Sequence, residues 1–231
     1  MLKTLQPPPT IVWQTPKTFE EVLAAYLELG QATGKEKEAL EWVKESRGKV
    51  KRVRDKVEAL MSRREGGKSV RVAFVEWIDP IYAGGHWVGE MLKWAGGDDT
   101  NSRKGKDSIR VPWEDVLAWQ PEVIIVSPCG FDLIKSTEQA KLLMKREGFM
   151  DLPAAKQDRV YAVDANGYFA RPGIRLVEGV LLLAHVIHGG EEFPWTGAED
   201  AFVRVPVEGK EEEEEKEKEE AGEVEVKVSE A

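Results

Sequence analysis

The stretch that decides the fold is VRVAFVEWIDPIYAGGHWVGEMLKWAGG, residues 70–97. Its first eight residues, VRVAFVEW, are almost continuously apolar, as in a parallel strand buried on both faces. EGGKS (65–69) precedes them and ends a helical pattern. After them Asp79, Pro80 and the pair Gly84-Gly85 break the run. The spacing then predicts a helix over Gly85–Ala95.

The same alternation recurs downstream. GGDDTNSRKGKDS (96–108) reads as a loop and Trp113–Trp119 as a short helix. EVIIVSP (122–128) is a second buried strand, followed by a helix over Leu133–Arg146. DRVYAVD (158–164) is a third, followed by an apolar helix over Arg171–His188, with Pro172 near its first turn, where the missing N–H costs nothing. Strands alternating with helices define an α/β class: a Rossmann-like lobe with a parallel or mixed sheet covered by helices.

Upstream the pattern is helical. Residues 1–16 read as an extended lead, with Pro7–Pro9 stiff and Ile11–Trp13 apolar enough for a short strand. Thr18 and Glu21 form a capping box. Phe19, Val22, Leu23, Tyr26, Leu27 and Gly30 then make one apolar face, and Gly34 stops the helix. A second helix runs from about Lys35 to Arg64. Val43, Val50 and Val57 recur every seven residues, with Val53 and Leu60 between them, a narrow stripe expected of a long exposed helix lying along something else. The domain reading is an extended lead (1–16), a helical arm (17–67), an α/β lobe (68–195) and an acidic, disordered tail (196–231).

Charge and composition exclude several function classes. The formal charge is −9, but residues 208–231 hold twelve Glu and four Lys, a net of −8, so the remainder carries −1. A near-neutral body offers no nucleic-acid surface. The single cysteine, Cys129, excludes an internal disulfide. No apolar run is long enough to span a membrane. The N-terminus has no apolar core of a secretory signal, so the chain as it stands reads as cytoplasmic.

In a sheet of this kind ligands bind beyond the carboxyl ends of the strands. The residues found there are Trp77, Asp79, Tyr82, Gly85, His86 and Trp87 after the first strand, Cys129 and Phe131 after the second, and Tyr168, Phe169 and Arg171 after the third. Three loops each bring an aromatic residue to one rim, with glycine or proline beside it. They line a ligand wall or only cap the end of the sheet. Two sharper chemistries compete. His86 and Glu90, four apart on a helix, face one way and suit a metal, but no third ligand lies near in sequence. Cys129 at a strand-to-helix turn suits a nucleophile, with His86 as the one base at the rim. For His185 and His188, packing or interaction with the helix dipole suffices.

These rim residues carry a resemblance. The segments VEWIDPIYAGGHWVGEMLKWAGGDD, PEVIIVSPCGF and LPAAKQDRVYAVDANGYFARPGIRLVEGVLLLAHVIHG resemble the C-terminal lobe of the cobalamin- and siderophore-type substrate-binding proteins of ABC importers. PKTFEEVLAAYLELGQATGK resembles the segment leading into the helix that connects the two lobes of that family. The resemblance implies a non-enzymatic binding module, with a corrinoid (cobalamin) or iron chelate as ligand and an ABC importer permease as partner. It places Trp77, His86, Trp87, Cys129, Phe131, Tyr168, Phe169 and Arg171 in the cleft, and Glu114 at the transporter-docking position. It implies no metal site and no covalently bound cofactor. The chain departs from the family by opening about 18 residues ahead of the first helix. The expectation is therefore a single lobe, with the N-terminal lobe and its docking glutamate absent, whose arm self-associates through a valine stripe left open to water. The alternative is an interaction or scaffold protein that kept the lobe and lost ligand transport. The family is exported, unlike the cytoplasmic reading of the N-terminus.

Overall fold

The computed structural model describes residues 11–207; most of the lead and the charge run of 208–231 lie outside the described residues. Two helices come first, α1 (Phe19–Thr33) and α2 (Glu36–Arg63). The lobe follows as β1 (Val70–Ile78), β2 (Ile81–Ala83), α3 (Val88–Trp94), β3 (Gly97–Asp98), β4 (Ile109–Arg110), α4 (Trp113–Trp119), β5 (Val123–Val126), α5 (Leu133–Leu143), α6 (Pro153–Lys156), β6 (Val160–Val163), α7 (Ala165–Tyr168), α8 (Leu176–His188) and β7 (Phe202–Arg204).

The strands form one mixed sheet in the order β4-β2-β1-β5-β6-β7, with β3 beside the start of β1. β1, β5 and β6 run parallel, so their carboxyl ends share one edge. β2 turns back antiparallel on the end of β1, β4 pairs antiparallel with β2, and β7 with β6. The apolar runs are continuous because both faces of the sheet are covered. Val72, Phe74, Val123, Ile125 and Val163 point into one core, shared with α1, α2, α3 and α8. The alternate residues Ala73, Val75, Ile124, Val126 and Ala162 point into a second, shared with α4, α5 and α6.

The valine stripe of α2 is not open to water. Val43, Val50, Val53 and Val57 are all buried in the first core, packed with α1, α3 and α8. The exposed face on which self-association of the arm rested is therefore filled from within the chain.

Four further expectations need correction. Ile11–Trp13 pairs with no strand, and Trp13 is exposed. The helix expected from Gly85 begins at Val88, because Ile81–Ala83 pairs as β2 and His86 adopts a left-handed φ of 55°. The helix expected from Arg171 begins at Leu176. The residue before a proline is driven out of the helical region, and Arg171 stands before Pro172, so the chain turns there instead, with Gly173 N–H donating to Arg171 O. The tail boundary at 196 falls too early: β7 pairs with β6, and Val205 and Val207 are buried.

Candidate functional site

A β-bulge shapes the end of β1. The register with β2 shifts between Val75 and Trp77, so two residues of β1 oppose a single step of β2. A bulge re-aims side chains, and here Glu76 and Trp77 both line one cleft of about 310 Å³. The cleft sits at the carboxyl edge of the parallel strands. β1 and its return contribute Glu76, Trp77, Tyr82 and His86; the loop after β5 contributes Cys129; the segment after β6 contributes Phe169 and Ala170.

Each wall has a physical fixing. Trp77 is 38% exposed, its indole N–H donates to Asp79 O (3.0 Å), and Phe131 packs edge-on against it at 5.4 Å. Trp87 is 7% exposed and its indole N–H donates to Phe169 O (2.8 Å), which ties the first rim loop to the third. Phe169 is itself buried against Phe74 at 5.3 Å. The Ser108 hydroxyl donates to Glu76. Gly85 is required by close approach: a Cβ there would stand 2.4 Å from the Ser108 backbone nitrogen.

The histidine turn is zipped to the loop before β4. His86 N–H donates to Lys106 O (2.6 Å) and Gly105 N–H donates to His86 O (2.8 Å). His86 Nε2 lies 3.3 Å from Asp107 Oδ1, and Lys17 Nζ lies 2.9 Å from the same oxygen. Lys17, by hydrogen bond and charge, holds the Asp107 carboxyl below the usual carboxylate range.

The structure thus brings Trp77, His86, Trp87, Cys129 and Phe169 to one cleft. It leaves three expected residues outside the lining. Phe131 supports Trp77 from behind. Tyr168 is buried against Trp195, with Arg175 over its ring. Arg171 is exposed, near enough for its charge to act on Cys129. Glu114 is exposed in the first turn of α4, at a separate groove with Asp79, Arg110 and Arg146. Tyr82, expected at the rim, joins the lining, while Glu76 and Ser108 were not anticipated there; the bulge and the β2–β4 pairing bring them in.

Neither sharper chemistry fits this geometry. His86 and Glu90 do not share a helix face: His86 meets Asp107, whereas Glu90 is buried and engaged by Phe19 N–H and Lys104. Among the described residues no three metal-ligating side chains cluster. Burial pushes the Cys129 thiol up, and the Glu76 charge adds to this against the opposing pull of Arg171. A raised thiol is a poor nucleophile at neutral pH. A larger groove of about 770 Å³ lies between α2 and α3, but Arg54, Glu58, Lys93, Asp98 and Lys104 make its lining charged. The smaller, aromatic cleft at the strand ends is the better candidate.

In an α/β sheet covered on both faces, the strand ends that carry this aromatic cleft are where ligands commonly sit. The chain belongs to the periplasmic binding protein family, whose model matches residues 4–166. It is 31% identical over 180 residues to an uncharacterized ABC transporter substrate-binding lipoprotein, YvrC, from Bacillus subtilis, covering 74% of this chain and 51% of that one. A periplasmic binding protein from Veillonella parvula superposes with a TM-score of 0.60 at 24% identity, over 74% of this chain and 57% of that one. The vitamin B12 binding protein BtuF of Vibrio cholerae superposes with a TM-score of 0.58 at 21% identity, over 77% and 64%. The chain spans about half the length of the curated relative it matches. Among the described residues no helix is long and apolar enough to cross a membrane.

Proposed function

We propose that this chain is a non-enzymatic solute-binding module of an ABC importer, and that the cleft at the ends of β1, β5 and β6 receives a broad, flat metal chelate of the corrinoid or iron-chelate class. The observation that carries the reading is the cleft itself. Trp77 and Tyr82 present exposed ring surface there, Trp87 and Phe169 form a rigid floor, and polar groups are few and placed. Aromatic faces give broad apolar contact at low entropic cost, which suits a large planar ligand. Kinship with a substrate-binding lipoprotein and a fold shared with a vitamin B12 binding protein support the class. In this reading Glu114 contacts the permease, from a surface separate from the ligand.

A cleft of this size covers one face of a corrin or porphyrin and leaves the other to a second surface. Ligand sites normally enclose most of their ligand, so this chain alone is expected to bind about ten- to a thousandfold more weakly than a two-walled site, or about 1.4–4 kcal/mol.

The test is a fluorescence titration with cyanocobalamin and hemin. Saturable quenching is expected, and Trp77→Ala is expected to raise Kd about five- to a hundredfold, the scale of losing one large aromatic contact. Trp77 is the residue to change because it is exposed; Trp87→Ala would remove a buried ring and its hydrogen bond, and so injure the fold. No saturable binding of either compound, or equal Kd in Trp77→Ala, overturns the assignment.

A further inference from the structure

The helical arm touches the lobe through an arrangement that leads directly to the cleft. Four N–H groups at a helix start lack intrahelical partners. In α1 the Thr18 hydroxyl accepts from Glu21 N–H (3.2 Å), and the Glu21 carboxylate accepts from the N–H groups of Lys17 (2.6 Å) and Thr18 (3.3 Å). That box leaves Phe19 N–H without a local acceptor. The acceptor comes instead from the lobe: Glu90 Oε2, 71 residues away and 3.0 Å from Phe19 N. Glu90 is a carboxylate only 5% exposed, and its other oxygen meets Lys104 Nζ at 2.5 Å. A buried charge is costly unless paired and hydrogen-bonded, and Glu90 is both. The positive end of α1 adds to the attraction. Phe19, also buried, packs edge-on against Trp94 at 5.0 Å, one turn beyond Glu90 on α3.

Glu90 and its partner Lys104 are each joined through the chain to the ligand wall. α3 begins immediately after Trp87, and its first residue, Val88, lines the cleft. Lys104 opens the loop whose Gly105 and Lys106 hold the His86 backbone by two hydrogen bonds. Lys17, two residues before Phe19, reaches Asp107, which contacts the His86 ring. Two arm residues thus hold the two elements on either side of the histidine turn: Lys17 at the 104–107 loop and Phe19 at α3, with the Thr18 methyl beside Gly105. His86 itself holds a left-handed φ of 55°, uncommon for a residue other than glycine, and the two backbone hydrogen bonds to Gly105 and Lys106 hold it there.

We infer that Glu90 is a positioning residue: by holding the start of α1 it fixes the 104–107 loop, and through that loop the His86–Trp87 wall of the cleft. The arm is then part of the binding apparatus, and loosening its first turn loosens the wall. This rests on the cleft reading above only for its ligand readout; its first readout needs no ligand.

The experiment is amide hydrogen exchange on the ligand-free chain, with wild type, Glu90→Leu and Glu90→Gln. Glu90→Leu removes the acceptor; Glu90→Gln keeps an amide oxygen for Phe19 N–H and serves as the conservative rescue. Exchange at the amides of Phe19 and His86 is expected to accelerate at least tenfold in Glu90→Leu, with most of the protection restored in Glu90→Gln and β5 amides unchanged. An unchanged His86 amide, or acceleration that is equal at β5 and so reports only global loss of stability, overturns the inference. In the same variants Kd for cyanocobalamin is expected to rise at least fivefold in Glu90→Leu and less than twofold in Glu90→Gln; equal Kd in all three overturns it as well. Failure of wild type to bind cyanocobalamin or hemin overturns the ligand assignment instead, and the exchange result then decides the positioning role alone.

Discussion

Acidification from pH 7 to about 4.5 is expected to weaken the fold through one residue, His188. It closes α8, and its ring Nε2 lies 2.8 Å from Ala95 O, which fixes the proton on Nε2. Its Nδ1 is buried without a partner, and the ring packs against Phe193 at 5.4 Å. Burial above all lowers its pKa from 6.5 to about 4; the hydrogen bond to Ala95 opposes this, and the charges of Arg64 and Arg159 add to it. The unfolded chain therefore takes up a proton near pH 6.5 that the folded chain refuses until about pH 4. The contribution to stability is fully present above 6.5 and is lost as pH falls through that window. The interval corresponds to a ceiling of about 3 kcal/mol. Because the ring is only partly buried, solvent screening reduces this to about 1–2 kcal/mol. Asp99 acts in the opposite sense, since burial pushes its carboxyl up, so the clean quantity is a difference between two proteins. Urea unfolding of wild type and His188→Gln at several pH values isolates it, because glutamine keeps a donor for Ala95 O without titrating. Wild type is expected to lose about 1–2 kcal/mol more than the variant between pH 7 and 4.5. Parallel pH curves for the two would refute the reasoning.

Two further outcomes follow from the packing. Gly179→Ala places a Cβ 2.7 Å from Tyr168 O and 2.8 Å from Met91 Cε, where α8 crosses α7 and α3, and is expected to cost about 1–3 kcal/mol by overpacking, read by urea midpoint. Cys129 is expected to alkylate more slowly at pH 7 than a free thiol. Glu76→Gln should speed the reaction and Arg171→Ala slow it, because those charges act on the thiol in opposite directions; identical rates in all three proteins would show that the charges do not reach it.

Much of the fold was legible because local and tertiary forces agree in it. β1, β5 and β6 are apolar on both faces and so appear as runs in the sequence. The Thr18–Glu21 box and the left-handed Gly34 mark both ends of α1 by their chemistry alone. β2, β3, β4 and β7, of two or three residues each, carry no such signal. They are strands only because an edge of the sheet offers them partners. The starts of α3 and α8 were misplaced for a related reason: the residues just before each helix look compatible with a first turn, Pro172 above all, while the left-handed turn at His86 and the turn around Pro172 break the backbone. At the candidate site, the rim position of Trp77, His86 and Cys129 followed from their place after a strand. The bulge that turns Glu76 inward, and the burial that removes Tyr168 from the cleft, depend on cross-strand register and on α8. The valine stripe was read correctly as a packing face, but what covers it could not be read from the helix alone.

The central claim is that the aromatic cleft at the ends of β1, β5 and β6 meets the ligand. The chain contains eight tryptophans, each with an indole N–H that reports its own surroundings. Following these eight signals by NMR during titration with cyanocobalamin or hemin tests the claim most directly. The account predicts that the Trp77 indole shifts most, with a smaller change at Trp87, while Trp94 in the charged groove beside α2 and Trp119 at the far end of α4 stay still. Saturable binding that moves Trp94 and leaves Trp77 unchanged would contradict it.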